Sequence, residues 1–187
     1  MKRATMGLGL AALVSAITLT TSADEPIVGP PLSKEHKVLA REEGTWDAEV
    51  TTTPPGSTEA MKSKAVETNT LLGGRWLLSD VQMEFGGLAF KGHAQYGFDA
   101  KKGKFVGTWL DIMSTKLDTM EGTYDEATDT LTFEGELDDP RTGKPTKSRF
   151  VHKFLKDGGR VVTELLKLDG SKDYVKFMEI TYKKRAK

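Results

Sequence analysis

The chain has no cysteine in its 187 residues. Thiol nucleophiles, thiolate metal centres and disulfide staples are therefore excluded together, and any fold must rest on its core. Charge of one sign is also lacking. The 27 basic residues balance the 27 acidic ones, and the only basic run, Lys183-Lys184-Arg185, reads as a solvated tail. Nothing favours nucleic acid as a partner. The signatures of common enzymes are missing as well: no phosphate loop, no Gly-x-Ser-x-Gly elbow, no dinucleotide fingerprint and no His-Glu-x-x-His. The three histidines, His36, His93 and His152, are scattered. Asp138-Asp139-Pro140 reads as a turn rather than a metal site. The segment Asp125 to Asp129 lacks the glycine and glutamate that a calcium loop requires.

Long apolar runs are scarce too. The apolar stretch Met6 to Leu19, 14 residues long, falls short of the roughly 20 that a membrane span needs. It follows Lys2 and Arg3 and precedes Thr21-Ser22-Ala23, which offers small residues at −3 and −1. That pattern predicts a cleaved secretory signal over residues 1–23, an exported protein, periplasmic or secreted, and no membrane association after cleavage. The remaining 164 residues suit one domain. Residues 24–32, with Pro26, Pro30 and Pro31, read as a stiff linker, and residues 33–187 as the domain. Ser33 is placed to cap a short helix over Lys34 to Glu43, ended by Gly44.

After Gly44 the chain carries strand patterns divided by turn chemistry. Two hairpins repeat one design: Phe98-Asp99 to Gly103-Lys104-Phe105, and Tyr124-Asp125 to Asp129-Thr130-Leu131. In each an aromatic ends a strand, Asp opens the turn, and a residue tolerant of positive φ leads into the next strand. With Gly73-Gly74, Gly86-Gly87, Asp157-Gly158-Gly159 and Asp169-Gly170, they divide the chain into about ten strands with short connections. The fold class predicted is all-β: an antiparallel up-and-down meander after a short N-terminal helix. Such a meander loses its exposed edges by closing into a barrel. Leu88, Phe90, Ala94, Tyr96 and Phe98 share one strand face, with Lys91, His93 and Gln95 opposite. Between Arg160 and Leu168, and again between Tyr174 and Tyr182, the alternation is less clean. Val161, Glu164 and Leu166 group against Val162, Thr163 and Leu165.

Gly44-Thr45-Trp46 after a short helix resembles the opening of lipocalins and related calycin barrels. Glu35-His36, Leu72-Gly73-Gly74-Arg75-Trp76, Tyr96-Gly97-Phe98-Asp99 and Phe105-Val106-Gly107-Thr108-Trp109-x-Asp111-x-Met113 extend the pattern. Together they resemble the bacterial family known as domain of unknown function 1579, over about Glu35 to Tyr182. Where that family often has Gly-Tyr-Asp, this chain has Gly97-Phe98-Asp99. The resemblance implies a lipocalin-like barrel and carries no activity or catalytic residue. A nitrobindin-like haem site is disfavoured, because Asp47-Ala48-Glu49-Val50 follows Trp46 where those proteins continue with glycines; no cofactor is expected.

Several side chains are candidates for a ligand site. Trp46 reads as core, whereas Trp76 and Trp109 serve equally as core or as an aromatic wall. Glu67 and Arg75 lie on neighbouring strands and would approach across a hairpin, as a surface pair or, if turned inward, as a lumen ion pair. Asp111 and Met113 share a face with Trp109, which makes Asp111 either an outward strand-end residue or a polar group in the cavity. His36 would lie over the barrel mouth if its helix does, or simply cap. The function expected is binding of a small apolar or amphipathic molecule in the lumen. The alternatives are a packed-barrel interaction or structural module, and a barrel enzyme of isomerase or cyclase type using Asp111 or Glu67 as base. Ligand identity and oligomeric state are not legible.

Overall fold

The computed structural model describes residues 29–85 and 87–186; the signal segment expected over residues 1–23 lies outside them. One helix, α1 (Lys34–Ala40), is followed by ten strands: β1 (Gly44–Thr52), β2 (Met61–Leu72), β3 (Trp76–Phe85), β4 (Leu88–Asp99), β5 (Lys104–Asp111), β6 (Asp118–Asp125), β7 (Thr130–Asp138), β8 (Pro145–Phe154), β9 (Arg160–Lys167) and β10 (Val175–Lys184). Every strand pairs antiparallel with its neighbours in sequence, and β1 pairs with β10 from Trp46↔Lys184 to Thr52↔Met178. The meander is thus a closed ten-stranded barrel, as the lipocalin-like expectation required.

The turn chemistry explains the connections. Asp99 Oδ1 accepts the amides of Lys101 (2.9 Å) and Lys102 (3.2 Å), and Gly103 follows at φ 64°. Asp125 Oδ1 accepts the Ala127 amide (2.9 Å), and Asp129 takes the same left-handed place at φ 53°. Asn, Asp and Gly tolerate that region where branched residues do not.

Because the strands alternate in direction, the connections fall into two sets. Those after β2, β4, β6 and β8 lie at one end with α1. Those after β1, β3, β5, β7 and β9 lie at the other. Helix α1 seals its end. Val38 and Leu39 are buried in one core with Leu77, Phe105, Met120, Leu131, Phe133 and Phe154. The helix stops three residues earlier than expected. Arg41, Glu42 and Glu43 instead donate to the carbonyls three residues back (3.2, 3.0 and 3.3 Å), the tighter winding common at helix ends.

Two irregular strands resolve simply. In β9, Arg160, Val162, Glu164 and Leu166 face inward and Val161, Thr163 and Leu165 outward, so the grouping of Val161 with Glu164 is corrected. In β10 the register shifts between Lys176 and Met178, a bulge at Phe177 that turns the strand by one residue. Leu88 alternates with the inward residues but stands past the wall and is 67 % exposed.

Candidate functional site

The lumen has two unlike halves. The sealed half holds a buried polar network. Arg160, first residue of β9, is 1 % exposed. One terminal nitrogen donates to Glu42 Oε2 (2.5 Å) and the other to the Glu67 carboxylate. Asn69 Nδ2 donates to Glu67 Oε1 (2.6 Å) and to the Glu42 carbonyl (2.9 Å), which also accepts the Trp46 indole N–H (2.8 Å). The guanidinium lies on the rings of Tyr182 (3.9 Å) and Trp46 (4.7 Å), a stacking that suits its planar, weakly hydrated cation. Burial alone would push Glu42 up, but the charges of Arg160 and then His152 outweigh it and hold the carboxyl at about 2. Burial, then the Glu67 charge, pushes the Tyr182 phenol well above its ordinary value. With α1 above it and the Phe133 core beside it, this network ties the segment after the helix to β1, β2, β8 and β9. Its charged groups are buried at 1–6 % exposure, which makes it structural in position.

The open half, called the cup, is lined by side chains that are only partly covered. Phe90, Val81, Met83, Trp109, Phe150 and Met178 alternate with outward residues and so face the lumen, yet each is only partly buried. The equivalent side chains of the sealed half, Leu131 and Phe133, are 0 % exposed. Trp109 stacks on Phe90 (centroids 6.4 Å apart, planes 17°). Its ring lies flat over Gly92, where any Cβ would collide with it. Asp111 fixes it there, accepting the indole N–H at Oδ2 (2.8 Å) and the Met113 amide at Oδ1 (2.8 Å). Around the rim, Leu88, Ile112, Met113 and Leu117 are all more than half exposed.

Deeper in this cup sits Glu164, inward on β9, 5 % exposed and flanked by Phe150 and Met178. Among the described residues its carboxyl has no hydrogen-bond or ionic partner, and burial pushes it up to about 8.

The residues singled out in the sequence thus divide. Trp109, Asp111 and Met113 meet at the cup. Glu67 is inward and buried in an Arg ion pair, as its inward alternative required, but the partner is Arg160 and not Arg75. Arg75 sits in the turn before β3, bonded to the carbonyls of Gly73 (3.1 Å) and Pro30. Trp76 is 42 % exposed and covers Gly97 at the sealed end. His36 is at that end too: its Nδ1 accepts the Ser33 amide (3.0 Å) and its ring meets Phe98 edge-on. It therefore caps α1 and does not overlie the open mouth. His93 faces outward beside Asp80 (2.9 Å), and His152 inward beside Glu42 (3.4 Å).

Glu42, Arg160 and Glu164 were not singled out. Glu164 did leave a signal, a lone acid at an inward period-two position between Val162 and Leu166.

Two surface depressions, of about 410 and 210 Å³, lie outside the lumen. One crosses the outer faces of β6 to β9 between the Glu121 and Arg149 side chains, and the other flanks α1 near Arg41. Both are open; the charged groups of the first are already paired, and in the second Arg41 is paired with Asp129.

The family described as "Protein of unknown function (DUF1579)" matches residues 31–184, all ten strands included. Comparison with curated proteins finds no match.

Proposed function

We propose that this chain, which belongs to the DUF1579 family of proteins of unknown function, binds a small apolar or amphipathic molecule in the open half of its barrel. The observation that carries the reading is the contrast in exposure along one inner wall. Along β3 to β5, and at Phe150 and Met178, inward side chains of the open half stay partly accessible, whereas Leu77, Phe105, Leu131 and Phe133 of the sealed half are buried. Apolar surface that faces a lumen and still meets water gains free energy when an apolar body covers it, about 25 cal/mol per Å².

The bound molecule occupies a shallow cup and not the full depth of the barrel, since the Phe133 core and the Arg160 network fill the rest. The filled-barrel alternative describes that lower half well, and the upper half is where the two readings part. Export belongs to this proposal, supported by the basic, apolar and small-residue order of residues 1–23. The partner is a small molecule and not a nucleic acid.

The test is a titration with 1-N-phenylnaphthylamine, a neutral apolar fluorophore. Saturable one-site binding is expected. Trp109→Ala should weaken it about tenfold, the scale of losing one aromatic wall, at little cost in stability. No saturable binding to the wild-type protein, with Trp109→Ala merely unfolding more readily, would establish the filled barrel instead.

A further inference from the structure

Glu164 has no structural reason to be an acid. Its strand neighbours on the inner wall are Phe150 and Met178, its exposure is 5 %, and only burial acts on its ionisation. An unpartnered carboxyl in such a place destabilises a fold, and an apolar side chain of the same volume would serve the wall better. The cost is accepted where the group meets something from outside.

The rest of the wall says what that something is. Alternation puts three charged side chains on the inner face of the open half, Asp111, Asp118 and Glu164, all acidic. Among the described residues no Lys or Arg joins them. Lys116 reaches Asp118 (3.0 Å), but from the loop at the rim. Arg160, the inward cation of β9, is at the sealed end, with both terminal nitrogens held by Glu42 and Glu67. An anionic head group entering the cup would find no cation and three acids. A cationic head finds carboxylates throughout, and on its way in it passes the faces of Trp109 and Phe90, which attract cations.

We infer that Glu164 anchors the head group of the ligand, and that the ligand is a cationic amphiphile, a protonated amine carried on an apolar body. The inference rests on the cup-binding reading and deepens it. The apolar body covers Phe90, Met83, Phe150 and Met178, and the N–H donors reach the carboxyl that nothing else satisfies.

A pH signature follows. At neutral pH the empty cup holds Glu164 protonated, since burial raises it to about 8. An alkylammonium stays charged to about pH 10, and it binds the carboxylate, so its uptake releases the carboxyl proton to water. Affinity therefore rises about tenfold per pH unit between pH 6 and 8 and then levels. The other titratable or charged groups facing this region are Asp111 and Asp118 at the open end and, toward the sealed end, Glu67 on β2, Arg160 on β9, His152 on β8 opposite Val162, and Tyr182 on β10 opposite Arg160. Glu164→Gln separates their contribution from that of Glu164.

The experiment is calorimetric titration of the whole protein with dodecylammonium, dodecanol and dodecanoate at pH 6, 7 and 8. Dodecylammonium should bind most tightly, with the rising pH profile. Glu164→Gln, which keeps the shape, should weaken it at least about tenfold, the scale of a hydrogen bond to a charged group. The same variant should flatten the profile and leave dodecanol unchanged. If dodecanol or dodecanoate binds as well as the amine, or if Glu164→Gln binds the amine as before, the anchor is refuted while the cup stands. If none of the three binds the wild-type protein, the cup is refuted with it.

Discussion

Glu42 and Glu164 both stand in the lumen of one barrel, almost equally buried at 3 % and 5 % exposure. They are held at opposite ends of the carboxyl range, about 2 and about 8. Burial acts on both in the same direction. The difference is that Glu42 has Arg160 at 2.5 Å, and Glu164, among the described residues, has no hydrogen-bond or ionic partner. The same barrel wall therefore makes one carboxylate part of the scaffold and leaves the other as an unfilled valence. Burial by itself does not mark a functional acid; burial without a partner does.

The comparison can be broken most severely at Glu164. A raised folded-state pKa means that stability is fully present below the unfolded value near 4.5 and is lost as pH climbs toward 8. The shift amounts to a loss of up to roughly 5 kcal/mol. Glu164→Met should remove that slope, so that its denaturant midpoint exceeds wild type at pH 8 and converges on it near pH 4.5. Equal midpoints at both pH values would mean that water or a neighbour already satisfies the acid.

At the sealed end the sign reverses. Arg160→Met leaves Glu42 and Glu67 buried without their cation and should cost about 3–5 kcal/mol at pH 7. The native form should recover part of this in acid, where the stranded carboxyls take up protons. In the wild-type protein the depressed Glu42 contributes roughly 3 kcal/mol above pH 4.5, lost as pH falls toward 2. An Arg160→Met midpoint within 1 kcal/mol of wild type would deny the network its structural role.

A smaller effect is expected at the cup wall. Gly92→Ala places a methyl where the Trp109 ring lies, and either strains the wall or drives the indole off Phe90 into the lumen. A stability loss of about 1–3 kcal/mol, with weaker fluorophore binding, is expected from unfolding and titration together. Unchanged binding would mean that Trp109 is no part of the site. The smallest effect is at the surface. Arg41 bridges from α1 to Asp129 (2.6 Å), which also accepts the Tyr124 hydroxyl (2.7 Å). Arg41→Ala should cost under about 1 kcal/mol, because the pair is exposed and screened. A larger loss would show that α1 depends on this strap as well as on Val38 and Leu39.

What could be read from the sequence depended on range. The turn at Asp99 and Gly103 and its twin at Asp125 and Asp129 are local devices, and they located strand ends to within a residue. Gly44-Thr45-Trp46 and its companions pointed to the barrel. The partner of Glu67 could not be read that way. Arg75 lies eight residues away and Arg160 93, and only the register of a closed sheet decides between them. The bulge at Phe177 blurred the period of β10 for a related reason: one extra residue exchanges the two faces, and no local signal announced it. Glu164 groups with Val161 and Leu166 in the sequence, and nothing local in that uneven pattern says which face turns inward.

One further consequence lies in how the barrel closes. Nine of the ten strand pairings join neighbours along the chain, across short turns. The tenth joins β1 to β10, bringing Trp46 opposite Lys184 and fastening Arg185 to Asp47 (2.6 Å). That seam must wait for everything between its edges, since a long loop costs entropy before its contacts repay it. Until it forms, the chain is an open sheet with two bare edges, each able to pair with another copy. The β1–β10 seam thus carries the largest loop-closure cost of the ten pairings, and its two edges are where an unclosed barrel offers itself to another copy.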